Sequence, residues 1–518
     1  MDRRRYLEAI GSLPAGYAGF VQDDQLDSGE RRTDPERANR MIPMGIATWR
    51  HVDVVEYGAD PAGEEDVTPV LNDIIDEEGG DELVVLFPPG TYRMEEGFEH
   101  ENFRDFGVFG YNATIEVSSE FEGVGVYNDK AFALGPSESY RGRNVYVGGF
   151  EFDFSSVQDD VQASAVVTYG SGNVVFDSLE AVNESPNSRR MIELIALDDG
   201  RGRIHNCVVQ GAPGAGIYVE TDERTTVKIT DCLASDCADN GFYCSSGSGR
   251  VVIENSTAID NDISNIRLGG TVRDSMVFVS DSELANARGY WLRNGSCRVE
   301  NCFGYNDADD SRALVEVAPS ARSVTVTDSR FGSDSDRRIA TINAESDESE
   351  HTVTFRDCTF FGEKNANSTE EAIDVDRRDT AFLECSCALT GDVHPIQFGD
   401  GAETCRVVGG RYVSVRPIVF TAGRGGLVRD ADLVTEESER LQIDSPDVVV
   451  ENVTGEISEG VRTVVNGIGD NGTTDPATGG DWNGNGLEGV LVTWTDASAD
   501  GERLSVYRND HWYSWPIE

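Results

Sequence analysis

Lysine is almost missing from this sequence. Only Lys130, Lys228 and Lys364 occur, so arginine supplies nearly all of the 43 basic residues. Against 94 Asp and Glu they leave a net charge of −51 over 518 residues. A field of that sign repels nucleic acid and anionic lipid, which argues against both as partners. Long apolar runs are missing too, and nothing approaches the roughly 20 residues of a membrane span. Histidine is scarce, and none of the six stands at ligand spacing from a cysteine, which argues against zinc. Helical periodicity is confined to one short stretch.

What is present is apolar and strand-like. Of all residues 38% are hydrophobic, in recurring short runs, which excludes a disordered acidic chain. The acids are scattered along the whole length, the pattern of a halophile's carboxylate-solvated surface. At the N-terminus, "MDRRRYLEAIGSLPAGYAGF" reads as a twin-arginine-like export signal or a charged arm, covering residues 1–45. Sequons at Asn112, Asn183, Asn255, Asn294, Asn367, Asn452 and Asn471 fit an extracellular location.

The one helical stretch follows. Val67, Val70, Leu71, Ile74 and Ile75 fall at i, i+3, i+4, i+7 and i+8. Asp66 is placed to cap this helix, Pro69 sits in its first turn, and Gly79-Gly80 ends it. A lone amphipathic helix needs a large apolar partner, and the middle of the chain supplies one.

That middle is a repeat. "RIHNCVVQGAPGAGIYVE" from Arg203, "KITDCLASDCADNGFYCS" from Lys228 and "VIENSTAIDNDISNIRLG" from Val252 stack on one another. Stretches from Phe278, Arg298, Thr325 and Thr354 continue the series. Each carries an alternating strand, an Asn or Asp, a Cys or Ser, a short strand, a polar turn and another strand. The Asn/Asp positions are Asn206, Asp231, Asn255, Asp281, Asn301, Asp328 and Asp357, extended by Asp177, Glu384, Asp430 and Asn452. Two residues before them lie Ile204, Ile229, Ile253, Val279, Val299, Val326 and Phe355. An apolar residue at every second position buries one face. An Asn or Asp in the left-handed region then switches parity and turns the next Cys or Ser inward. Such units bury their faces only by stacking.

"EYGAD", the acidic helix start and "VVLFPPGTY" resemble the head of the pectate lyase-like family of right-handed parallel β-helices. The resemblance covers residues 50 to 460. It implies an all-β solenoid over 46–465, capped by the helix and followed by a small antiparallel unit at 466–518. The family includes lyases, hydrolases, epimerases and glycan-binding tailspikes, so fold alone assigns no reaction. The Asn-Thr-Asp, Gly-His-Gly and Arg-Ile-Lys marks of pectin hydrolases are missing, as are a pectate lyase's arginines around a proline.

Stacked coils bring equivalent Cα atoms about 4.8 Å apart. Cys207 with Cys232, and Cys358 with Cys385, are therefore either bridges or buried thiols. Within "DWNGNG", Asp481, Asn483 and Asn485 stand at calcium-loop spacing, although Val492 occupies the expected acidic twelfth position.

Parity also locates a candidate site. Tyr218, Tyr243, Arg267 and Trp291 should point outward in consecutive coils, with Glu220, Ser245, Gly269 and Arg293 in the next column and Arg288 beside them. Aromatic faces stack on sugar rings and guanidinium holds carboxylates, so these residues are read as substrate-binding, together with Asp239. Asp236, Asp260 and Asp262 in the adjoining turn are read as catalytic acids, with the two first-named about 5 Å apart as in a retaining glycosidase. They could instead hold Ca²⁺ for β-elimination, with Arg267 as the base, though no cofactor is required. The expected function is cleavage of an acidic extracellular polysaccharide, by a lyase or a hydrolase. The alternative is a non-catalytic, trimeric glycan-binding spike on a cell or virion surface.

Overall fold

A computed structural model describes residues 46–453 except 183–188, 281–283, 346–351, 364–370, 422–424, 436–440 and 445–447. It also describes 491–496, 501–508 and 511–516. The expected export segment and the Asp481, Asn483, Asn485 loop lie outside these residues. The fold is a right-handed parallel β-helix of about 14 turns. Each coil gives two strands to a large parallel sheet and one to a small parallel sheet. Contacts divide the chain into one unit ending at Ile192 and including Cys207–Pro213, and a second holding the remainder.

In the first unit the helix spans Thr68–Glu78. Val67 is its N-cap, and Asp66 acts from one position earlier. The Asp66 carboxylate accepts from Thr68 N (3.2 Å) and Glu95 N (3.1 Å), tying the helix start to the strand Gly90–Glu96. Gly79 ends it at φ 72°, its N–H bonding Ile75 O. Val67, Leu71 and Ile74 are buried, while Val70 and Ile75 lie at the margin. The helix packs on Gly90–Glu96 and Phe98–His100, covering the apolar end as its one-sided pattern required.

In the second unit the inward ladder runs Ile204, Ile229, Ile253, Val272, Val299, Val326 and Phe355, all fully buried. One rung differs from the sequence reading. Val279 is buried, but it pairs with Asn306 in the second strand of the coil, and Val272 takes its expected place. The bend of that coil is Asp274, not Asp281, which lies outside the described residues. The slip has a physical source: only 19 residues separate Asn255 from Asp274, because the preceding turn shrinks to Gly269-Gly270.

The bends themselves are uniform. Asn206, Asp231, Asn255, Asp274, Asn301, Asp328 and Asp357 hold φ between 48° and 56°. Glu384, Asp430 and Asn452 do the same, whereas Ser178 rather than Asp177 bends in the first unit. The next residue points inward as expected. Ser256, Ser275 and Ser329 each accept an N–H from the coil before (3.0–3.2 Å) and donate to the carbonyl two residues back (2.7–2.8 Å). Cys232, Cys302, Cys358 and Cys385 make the weaker sulfur version of that second bond. All ten cysteines are buried thiols, so neither Cys207–Cys232 nor Cys358–Cys385 is bridged.

Toward the C-terminus, Leu491–Asp496, Gly501–Arg508 and His511–Pro516 pair antiparallel. Among the described residues no helix is long and apolar enough to cross a membrane.

Candidate functional site

The small sheet carries the expected column. Tyr218, Tyr243, Arg267 and Trp291 occupy one register in consecutive coils. The same register continues through Glu316, Thr341, Asp374 and Gln397. The second column is less regular: a bulge after Tyr218 pairs Glu220 with Ser246 instead of Ser245.

Outward is not the same as exposed. Tyr218 is buried, its hydroxyl donating to Glu220 (2.7 Å) and its ring meeting Tyr243 edge-on at 5.0 Å. Arg267 lies over both Tyr243 (4.0 Å) and Trp291 (4.8 Å), and its Nε donates to Ser245 Oγ at 2.9 Å. Burial, then the nearby Arg293 charge, pushes the Arg267 guanidinium below its ordinary pKa, against a pull from Tyr243. Trp291 was expected to offer an open face. It is half-buried instead, because Arg288 (4.4 Å) and Arg293 (4.3 Å) join Arg267 over its ring. Trp291 Nε1 and Arg293 Nε are buried donors that find no acceptor among the described residues.

Arg288 is an anchor rather than an exposed ligand. It is buried, bonding Glu316 Oε2 (2.6 Å), Ile263 O (3.1 Å) and Asn286 O (2.9 Å). Desolvation lowers its pKa, against the opposing pull of Glu316.

The acids of the adjoining turn do not all converge on this face. Asp236 and Asp260 form a second left-handed column at φ 55° and 50°. Asp260 is buried, and its carboxylate accepts from Ser280 N (2.6 Å) and Ser280 Oγ (2.8 Å), closing the turn toward the next coil. That role is structural, contrary to the expected open catalytic acid. Asp239 accepts from the Asn240 amide, and Asp262 is half-buried. Beneath them Asn261 and Asn265 are fully buried, joined at 2.7 Å, and Asn265 donates to Phe278 O.

Asp374 escaped the sequence reading. It stands in the Trp291 column, beyond Glu316 and Thr341. Desolvation pushes its carboxyl up to about 6, with Asp376 and Glu371 adding and Arg338, 3.2 Å away, opposing. The signal was available: in "AIDV" Ile373 and Val375 alternate inward, leaving Asp374 out, as Glu316 is between Val315 and Val317. Among the described residues no group of three or more His, Cys, Asp or Glu is placed to hold a metal.

The small-sheet face of this parallel β-helix thus aligns aromatic, basic and acidic side chains in one register. Residues 51–270 match the family model described as rhamnogalacturonase A/epimerase, pectate lyase-like. Residues 195–386 match that of the right-handed β-helix region. Both support the pectate lyase-like superfamily. Among solved structures the chain is similar to the catalytic unit of a GH87 α-1,3-glucanase from Streptomyces thermodiastaticus (14% identity, 80% of this chain, 69% of that one, TM-score 0.38). It is similar to the A-module of mannuronan C-5 epimerase AlgE4 from Azotobacter vinelandii (14%, 81%, 100%, TM-score 0.40). Tailspike protein 3 of bacteriophage CBA120 gives 10% identity over 89% of this chain and 68% of that one, with TM-score 0.43. No curated protein matches the sequence.

Proposed function

We propose that the chain is an extracellular polysaccharide-active protein of a high-salt organism, cleaving an acidic polysaccharide laid along the small-sheet face. The observation that carries this is the single column from Tyr243 to Asp374, which brings two aromatic rings, a guanidinium and two carboxyl groups into one line.

Hydrolysis fits the two acids. Asp374, holding its proton near pH 6, donates it to the glycosidic oxygen as the C–O bond breaks. Glu316, held by Arg288, takes a proton from water as the hydroxyl joins the anomeric carbon. Two coil steps put these residues roughly 9.6 Å apart, the upper end of inverting geometry. This route needs no cofactor. An eliminative route would use Arg267, with Ca²⁺ neutralising the uronate. New reducing ends without unsaturated product from a uronate polymer in high salt would support hydrolysis; unsaturated product would support elimination. Asp374→Asn should abolish turnover and leave binding intact, and full turnover by that variant sinks the assignment.

A second reading has its own support. Trp291 lies under three guanidinium groups and Asp260 is tied to Ser280, which suits a rigid recognition surface. On that reading the chain is a glycan-binding spike, tightly bound to its polymer without turnover and trimeric in solution.

A further inference from the structure

The shortened coil leaves a notch of about 1020 Å³ beside the turns that follow the small sheet. Seven residues separate Cys244 from Val252 and five separate Leu292 from Arg298, whereas only Gly269-Gly270 separate their register partners Leu268 and Thr271. The floor stays bare because a Cβ on Gly270 would lie 2.3 Å from Val251 O. The walls carry Arg250, Arg273, Arg298 and Arg322, all exposed. Arg273 bonds Glu254, and Arg298 reaches Glu300 only at 3.5 Å. Arg250 and Arg322 have no carboxylate partner among the described residues. In a chain with 94 acids and 43 bases, two open guanidinium groups facing one cavity are a departure that folding does not require.

We infer that this notch holds successive anionic groups of an acidic glycan chain. The inference rests on the proposed function and adds to it the place where the acidic groups of the chain are held. Geometry selects a polymer over a free anion. Arg250, Thr271, Arg298 and Arg322 come from four consecutive coils, so the outer arginines stand roughly 14 Å apart along the axis, too far for one phosphate or sulfate to bridge. An extended pyranose chain advances by a comparable step per residue, and can present one charge to each coil. Guanidinium takes carboxylate or sulfate in the same forked geometry.

The test is binding to the whole protein in high salt of four probes: an oligouronate, a sulfated oligosaccharide of equal length, a neutral oligoglucan and single-stranded DNA. The variants are Arg250→Gln/Arg322→Gln and Trp291→Ala. The arginine pair is exposed, so an unchanged melting curve is expected as control. One or both anionic glycans should bind at least tenfold better than the neutral one, and the double variant should remove that advantage; whichever binds better identifies carboxylate or sulfate. Anionic glycans binding better than the neutral one, with Trp291→Ala weakening them and the double variant silent, overturns the notch and leaves the proposed function standing. DNA binding that equals the glycan and depends on the same arginines overturns the ligand class. No glycan binding at all overturns both readings.

Discussion

The inward face of the large sheet and the outward face of the small one obey different rules. Inward, the ladder from Ile204 to Phe355 repeats one kind of residue in every coil. Outward, the column from Tyr218 to Gln397 never uses the same residue in more than two consecutive coils. Stacking alone explains the first, since each coil meets the same neighbour above and below. It does not constrain the second, which is the face proposed to meet a ligand.

Four measurements can break or sharpen that contrast. Ile229→Asp should have the largest effect, costing more than about 4 kcal/mol by placing an unpaired charge in the ladder; a soluble variant with an unchanged denaturation midpoint would end the stacking argument. Arg288→Gln comes next, at about 3–5 kcal/mol, because Glu316 loses its buried partner. It tests whether the outward face also has a folded framework, read as a lowered midpoint together with lost glycan affinity. Asn255→Ala should cost about 1–2 kcal/mol from the left-handed bend, and Asn255→Gly much less. The smallest effect is at His100, which stacks on Phe103 at 4.7 Å. Burial lowers its pKa from 6.5 in spite of the Gly80 carbonyl. The unfolded chain therefore gains a proton first, and stability present above pH 6.5 should fall as the pH drops through that value. His100→Phe should flatten this part of the pH–stability curve.

How much was legible in the sequence follows the same division. Period-two patterning located the inward ladder and the Asn and Asp bends, because each is a local response to a repeated neighbour, and i, i+3, i+4 spacing located the capping helix. Two bends fall elsewhere: Ser178 replaces Asp177 in the first unit, and Asp274 replaces Asp281, where the turn before Thr271 shortens and constant spacing fails. Parity also placed Tyr218, Tyr243, Arg267 and Trp291 in one column. It could not show what lies over a side chain, so Tyr218 and Trp291 were expected to be more open than they are. The turn acids aligned as anticipated, but the Ser280 bonds that occupy Asp260 depend on a coil whose register was misplaced.

The sealed thiols have a practical consequence. Cys297, Cys302 and Cys405 are each pushed up to about 12 by burial, so none is a ready nucleophile while its coil stays closed. Thiol-specific labelling can then proceed only through opening, and the sulfurs become position-coded clocks of breathing along the solenoid. If fraying advances coil by coil from the C-terminal end, Cys405 is modified first, then Cys387 and Cys385, then Cys358, with Cys302 and Cys297 later still. The order of modification would read the direction of unzipping without any engineered probe.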